Sequence, residues 1–271
     1  MIGLFEPPLL RGGPARGRWV DLALIGVLVL AGAAGLQLFW IGADPYGGSA
    51  PAARERWFYS ACLTATLLLS PWSAVRAERA WERLRQDGIL RQLQLTRMSP
   101  AAISARALAA AVAPLFAALL LSLLGWTALA LVTGSPSPAR IALGHALVLV
   151  EVLALGLSGQ ALAGLLRHPG LAGPLSIAGL ALGTGAILLI EPLLGRVAHP
   201  EAWIAAALAV NPMTANGAAL GLDVLRTPWI YALTSAPEYR FAYPSPWLTL
   251  ALYAAAALAL AYRMCRRIRY E

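Results

Sequence analysis

The chain has 271 residues, 59% of them hydrophobic and only 13% charged, with a mean hydropathy of +0.67. A soluble domain carries about 25% charged residues, so a soluble globular fold is excluded and an integral membrane protein is expected. The net charge of +8 rests on arginine alone, because the sequence contains no lysine. A phosphate-binding P-loop needs its lysine, so nucleotide hydrolysis by that route is excluded as well.

The apolar runs approach the roughly 20 residues that cross a bilayer as a helix, and none shows the alternation of a barrel strand, so the fold is expected to be all-α. Residues 1–18 are broken by Pro7-Pro8 and Gly12-Gly13-Pro14 and read as an interfacial lead-in. The apolar run behind Arg11, Arg16 and Arg18 is too long for a signal peptide and has no clear cleavage site, so it reads as a retained first span over 22–41. Trp19 and Trp40 sit where two aromatic belts about 30 Å apart would lie. A loop rich in Gly, Pro and Ala leads to a second span over 57–75.

Between the second span and the third lies a hinge, 76–106, with seven arginines and the acids Glu78, Glu82 and Asp87. Its apolar positions, Trp81, Leu84, Leu90 and Leu93, recur at helical spacing, which predicts an amphipathic helix on the membrane face. Gly88 predicts a break, since glycine costs about 1 kcal/mol in a helix interior. Ser99-Pro100 predicts an N-cap followed by N1. The expected unit is helix, break, short helix, corner, membrane helix.

The third span is expected over 107–132 and the fourth over 141–166, closed by Arg167-His168-Pro169-Gly170. The fifth, over 171–194, carries Gly179 and Gly183 at the spacing that lets helices approach closely in lipid. The segment 195–246 contains an apolar stretch broken at Asn211-Pro212 and Asn216-Gly217, which reads as two short helices that dip in and return. The sixth span is 247–262, followed at once by Arg263, Arg266, Arg267 and Arg269. With six spans and both termini cytoplasmic, fifteen arginines fall inside and six outside, as the positive-inside rule asks. Because the arginines cluster at membrane edges, nucleic-acid binding is not expected.

Glu151 stands mid-span in the fourth helix, where an ionised carboxylate costs about 2.5–3.5 kcal/mol or more, so it is a functional candidate. Gly144, Glu151 and Ser158 share one stripe and predict a polar, protein-facing seam; a packing role for Glu151 is the competing reading. His145 lies on a different face and forms no relay with it. Glu191-Pro192 reads as an interfacial cap. Three scattered histidines and two cysteines, Cys62 and Cys265, show no ligand spacing, so neither a metal site nor a disulfide framework is expected.

The hinge GILRQLQLTRMSPAAI resembles the loop after the second span of type 2 ABC exporter permeases, at Gly88, Leu90, Leu93, Thr96, Ser99, Pro100 and Ile103. It departs from that pattern at Ile89, Arg91, Gln94 and Arg97, which makes the element less acidic. Asn211-Pro212 with the small residues after it is similar to that family's region following the fifth span. The resemblance implies a permease subunit of the cell membrane, paired with a second permease as a homodimer or heterodimer. It further implies a separate ABC ATPase subunit that holds the ATP, this chain binding no cofactor and having no catalytic residue of its own. The hinge would be the coupling helix, with Trp81, Leu84, Leu90 and Leu93 as the buried anchor, Arg79, Arg83, Arg85 and Arg91 as its charged rim, and Gly88 as its break. Glu151, Ser158 and Asn211 would line the pathway or its packing. An intramembrane enzyme using Glu151 with the Asn211–Asn216 segment, and a non-transporting membrane anchor or assembly factor, are the alternatives.

Overall fold

The computed structural model describes residues 26–35, 50–95, 98–166, 168, 170–220 and 234–270. Among these residues there is no strand. In chain order the helices are α1 (Gly26–Gly35), α2 (Ala50–Gln86), α3 (Ile89–Leu95), α4 (Pro100–Thr133), α5 (Pro138–Leu165), α6 (Ala172–Thr184), α7 (Ala186–Leu194), α8 (Pro200–Ala209), α9 (Pro212–Leu220) and α10 (Pro246–Tyr270), with a 3₁₀ turn at Ala236–Glu238. Four of them, α2, α4, α5 and α10, are long and apolar enough to cross a membrane, and α6 with α7 makes a fifth if that bent pair counts as one span. Trp19, Trp40, the lead-in 1–18, most of the expected first span, Thr96, Arg97, Arg167 and residues 221–233 lie outside the described residues.

The second span and the first part of the hinge are one helix rather than two. Helix α2 runs 37 residues, about 55 Å at 1.5 Å per residue, so it overruns a 30 Å hydrocarbon core by several turns. Nothing between Val75 and Gly88 stops it, and Ala77, Ala80, Trp81 and Leu84 give it a continuous buried side. It ends where the sequence predicts: Gly88 adopts φ +67°, a left-handed conformation that suits glycine, and α3 begins at the next residue. Ser99 caps α4 by accepting the Ala102 amide at 3.2 Å, with Pro100 opening the helix.

Helices α2 and α5 form the central pair and share the largest interface of the bundle. Gly159 makes this possible, since a Cβ there would stand 2.5 Å from the Ala74 carbonyl oxygen. The expected close-approach pair is used only in part: Gly183 meets Tyr253 and the Val210 carbonyl, whereas Gly179 faces open space. One apolar cluster, built on Phe58, Tyr59, Leu115, Ile141 and Leu208, fills the end of the bundle where α2 begins. A second gathers Trp81, Leu84, Ile103, Ala161, Met264 and Ile268 at the other end.

The fifth expected span is bent rather than straight. Helices α6 and α7 meet at 47°. At the bend Asn211 Nδ2 takes the Thr184 carbonyl at 2.9 Å, and Gly185 stands between the two helices. A carbonyl drawn out of its helical ladder next to glycine is a recognised cause of a kink.

Candidate functional site

Two regions collect the predicted functional residues, and they differ in kind. The first is the end of the bundle around the hinge. Trp81 is 1% exposed and Leu84 6%, both packed on Met264, Ile103 and Ala161 of the same chain. They therefore anchor α2 to its own bundle and offer nothing to a docking protein, which corrects the role expected of them. Leu90 and Leu93 are half-buried and lean on the same cluster, while Arg85, Gly88 and Arg91 are exposed. Leu95, which the helical stripe did not single out, closes α3 with 81% of its surface exposed. Among the described residues, Leu95 is an outward apolar feature of this two-turn helix.

The hinge acids are not a uniformly solvated set. Glu78 is buried, and its two carboxylate oxygens accept the amides of Ala172 and Gly173, each at 2.9 Å. Those are orphan donors at the start of α6, where no side chain of the preceding residue caps the helix. A carboxylate there satisfies them and meets the positive end of the helix dipole. Gly173 leaves the room, since a Cβ would stand 2.6 Å from Glu78 Oε2. One turn further, Glu82 accepts the Gly170 amide at 2.9 Å. At the same end, Arg267 Nη1 donates to the Leu165 carbonyl at 2.6 Å, tying α10 to the C-terminus of α5.

The second region is a polar chain in the middle of the bundle. Glu151, fully buried on α5, accepts the Thr66 hydroxyl of α2 at 2.8 Å through Oε2. Asn216 of α9, also fully buried, donates through Nδ2 to Thr66 Oγ1 at 3.3 Å. Among the described residues, Glu151 Oε1 and Asn216 Oδ1 find no hydrogen-bond partner. Three elements far apart in sequence thus meet on one hydroxyl. The expected seam along α5 is only partly polar: Gly144 packs against the Phe58 ring, and Ser158 is half-buried and outside this chain. His145, as its face predicts, is engaged elsewhere, with the Ile141 carbonyl at 2.9 Å and Ser122 at 3.1 Å.

Asn211 belongs to neither region; it is a clasp. Its Oδ1 accepts the Met213 amide at 2.9 Å while Nδ2 holds the Thr184 carbonyl. Around it, three carbonyls at the α8–α9 break accept side-chain hydroxyls. Thr214 donates to that of Leu208 at 2.8 Å, Thr249 to that of Ala209 at 2.8 Å, and Tyr253 to that of Val210 at 3.0 Å. Broken backbone inside a membrane bundle is tolerated where side chains satisfy it in this way. Glu191 is a cap, as its position predicts: it accepts the Ser235 amide at 3.0 Å and the Thr234 hydroxyl.

Neither a family model, nor a curated protein, nor a solved structure matches the chain. Sequence reasoning passed over Thr66, named Asn216 as a site residue only within the Asn211–Asn216 segment of one alternative, and gave Glu78 no role of its own. For the first two a signal existed, since hydroxyl and amide side chains inside apolar helices seek partners. For Glu78 there was none, because its partners lie more than 90 residues away.

Proposed function

We propose that the chain is the membrane-spanning subunit of an ATP-driven exporter, forming the pathway with a second permease and driven by a separate nucleotide-binding subunit. Six spans with both ends in the cytoplasm, and hence a multi-pass protein of the cell membrane, are part of this reading. The excess of arginine on the inner segments supports that orientation. What carries the functional reading is α3. It is a short helix suspended between two membrane-length helices by a left-handed glycine on one side and a capped helix start on the other. Its inner side, Leu90 and Leu93, rests on the cluster that joins α2 to α10, while Arg91 and Leu95 face outward. A partner that grips the outer side would push on both α2 and α10, which is what coupling requires. Arg85 and Arg91 would steer the encounter, and Leu95 would supply the apolar contact.

Co-purification from native membranes tests this. A soluble P-loop protein should accompany the wild-type chain and be lost from Leu95→Asp combined with Arg91→Glu, with helicity unchanged. These outward positions make a cleaner test than Leu90 and Leu93, whose inner packing would be disturbed. An unchanged complex would rule out the coupling role, and a partner without a P-loop would favour the anchor or assembly-factor reading. An intramembrane enzyme has one observation in its favour, the meeting of Glu151 and Asn216 on Thr66. Turnover by the isolated chain would establish that alternative.

A further inference from the structure

Helix α2 carries a cationic cleft where it faces α4. Arg76, Arg79 and Arg83 stand one and two turns apart on one face, with Ala80 between them and Ala110 and Ala111 of α4 opposite. The space they line is about 200 Å³, against roughly 30 Å³ for a water molecule, so it admits a phosphate group. The alanines keep it open. Arg76 is fixed in place because its Nε donates to the Ala111 carbonyl at 2.9 Å, which leaves the terminal nitrogens of its guanidinium for another acceptor. Two acids of α2 that could have neutralised the cluster, Glu78 and Glu82, accept backbone amides instead, at Gly170, Ala172 and Gly173. Among the described residues no carboxylate pairs with Arg76, Arg79 or Arg83.

The geometry points to a binding site for the phosphate headgroup of an anionic phospholipid. Guanidinium groups match phosphate oxygens in bidentate fashion, and three of them line one face of α2 here. The level of the cleft separates a lipid from a free anion. It opens just past Val75, where the apolar part of α2 ends, and opposite the alanine-rich start of the apolar part of α4. Only 28% of the most apolar window of α4 is buried within the protein, so the acyl chains of a bound lipid have a long apolar helix to lie against. This site stands independently of the exporter reading.

The test uses the full chain in mild detergent, with retention of phosphatidylglycerol and of phosphatidylcholine compared by native mass spectrometry. The wild-type protein should retain phosphatidylglycerol preferentially. Arg79→Gln with Arg83→Gln should cut that preference roughly thirtyfold, following about 1 kcal/mol for each of the two arginines near an anionic headgroup. Arg263→Gln with Arg266→Gln, at the end of α10, should leave it unchanged. Ala110→Leu, which fills the cleft without altering charge, should weaken phosphatidylglycerol retention as well and covers the case in which the arginine variant fails to fold. Inorganic phosphate should not compete. An unaltered preference in both cleft variants overturns the proposal. So does displacement of phosphatidylglycerol by inorganic phosphate, which would mark a free-anion site. So does loss of a bound soluble protein with lipid retention intact, which would make the cleft part of a protein interface.

Discussion

Two glutamates of this bundle are buried at 3% and 0% exposure, and they have opposite surroundings. Glu78 gives each carboxylate oxygen a backbone amide at the start of α6. Glu151 has one oxygen on a hydroxyl and, among the described residues, no partner for the other. The first is a finished piece of architecture, a helix cap supplied from another helix. The second is an unfinished polar site held among α2, α5 and α9, and it is there, rather than at Glu78, that burial carries a free energy cost without a structural return.

Paired isosteric substitutions sharpen this contrast. Glu78→Gln should have the largest effect, lowering stability by about 2–3 kcal/mol, because one buried amide would face an NH2 group instead of an acceptor. The midpoint of thermal unfolding in detergent reads it directly. Asn211→Ala should cost about 1–2 kcal/mol, since it removes an N-cap acceptor and leaves the Thr184 carbonyl without its donor. Glu151→Gln should be the mildest, within about 1 kcal/mol and in the stabilising direction, because the amide still accepts from Thr66 and no charge is buried without a counter-ion. If transport by the reconstituted complex falls while stability is kept, Glu151 belongs to the pathway; if transport is untouched, the pathway role fails. Should Glu151→Gln unfold the protein as readily as Glu78→Gln, the contrast itself is wrong.

A similar division runs through the hinge. Its breaks were legible because they depend on single residues: Gly88 for a left-handed turn, Ser99 with Pro100 for a helix start. Its faces were not. Trp81 and Leu84 lie on the same stripe as Leu90 and Leu93, and periodicity cannot say whether a stripe is covered by the chain itself or by a partner. Met264 and Ile268, nearly 200 residues on, cover Trp81 and Leu84 almost completely, while α3 beyond the break is covered only in part.

The candidate site divides along the same line. Glu151 could be picked out because a carboxylate in an apolar span is conspicuous against its local background. Thr66 and Asn216 became meaningful only when α2, α5 and α9 were brought together. The bend between α6 and α7 was likewise invisible, as it depends on an amide donated across 27 positions by Asn211.

By itself, the sequence determined what composition and local pattern control: a helical membrane protein, the ends of its hinge helices, the break at Asn211-Pro212, and the conspicuous acid Glu151. Those properties follow from backbone preference and from the hydrophobicity of neighbouring residues, which act over a few positions. Tertiary structure alone decided which glutamate is a cap and which is left half-satisfied, and which side of the hinge faces outward. The same holds for the three arginines, which acquire a cleft only when α4 packs beside them. Each of these depends on a partner distant in the chain, and burial and hydrogen bonding acquire their free energies only when that partner arrives.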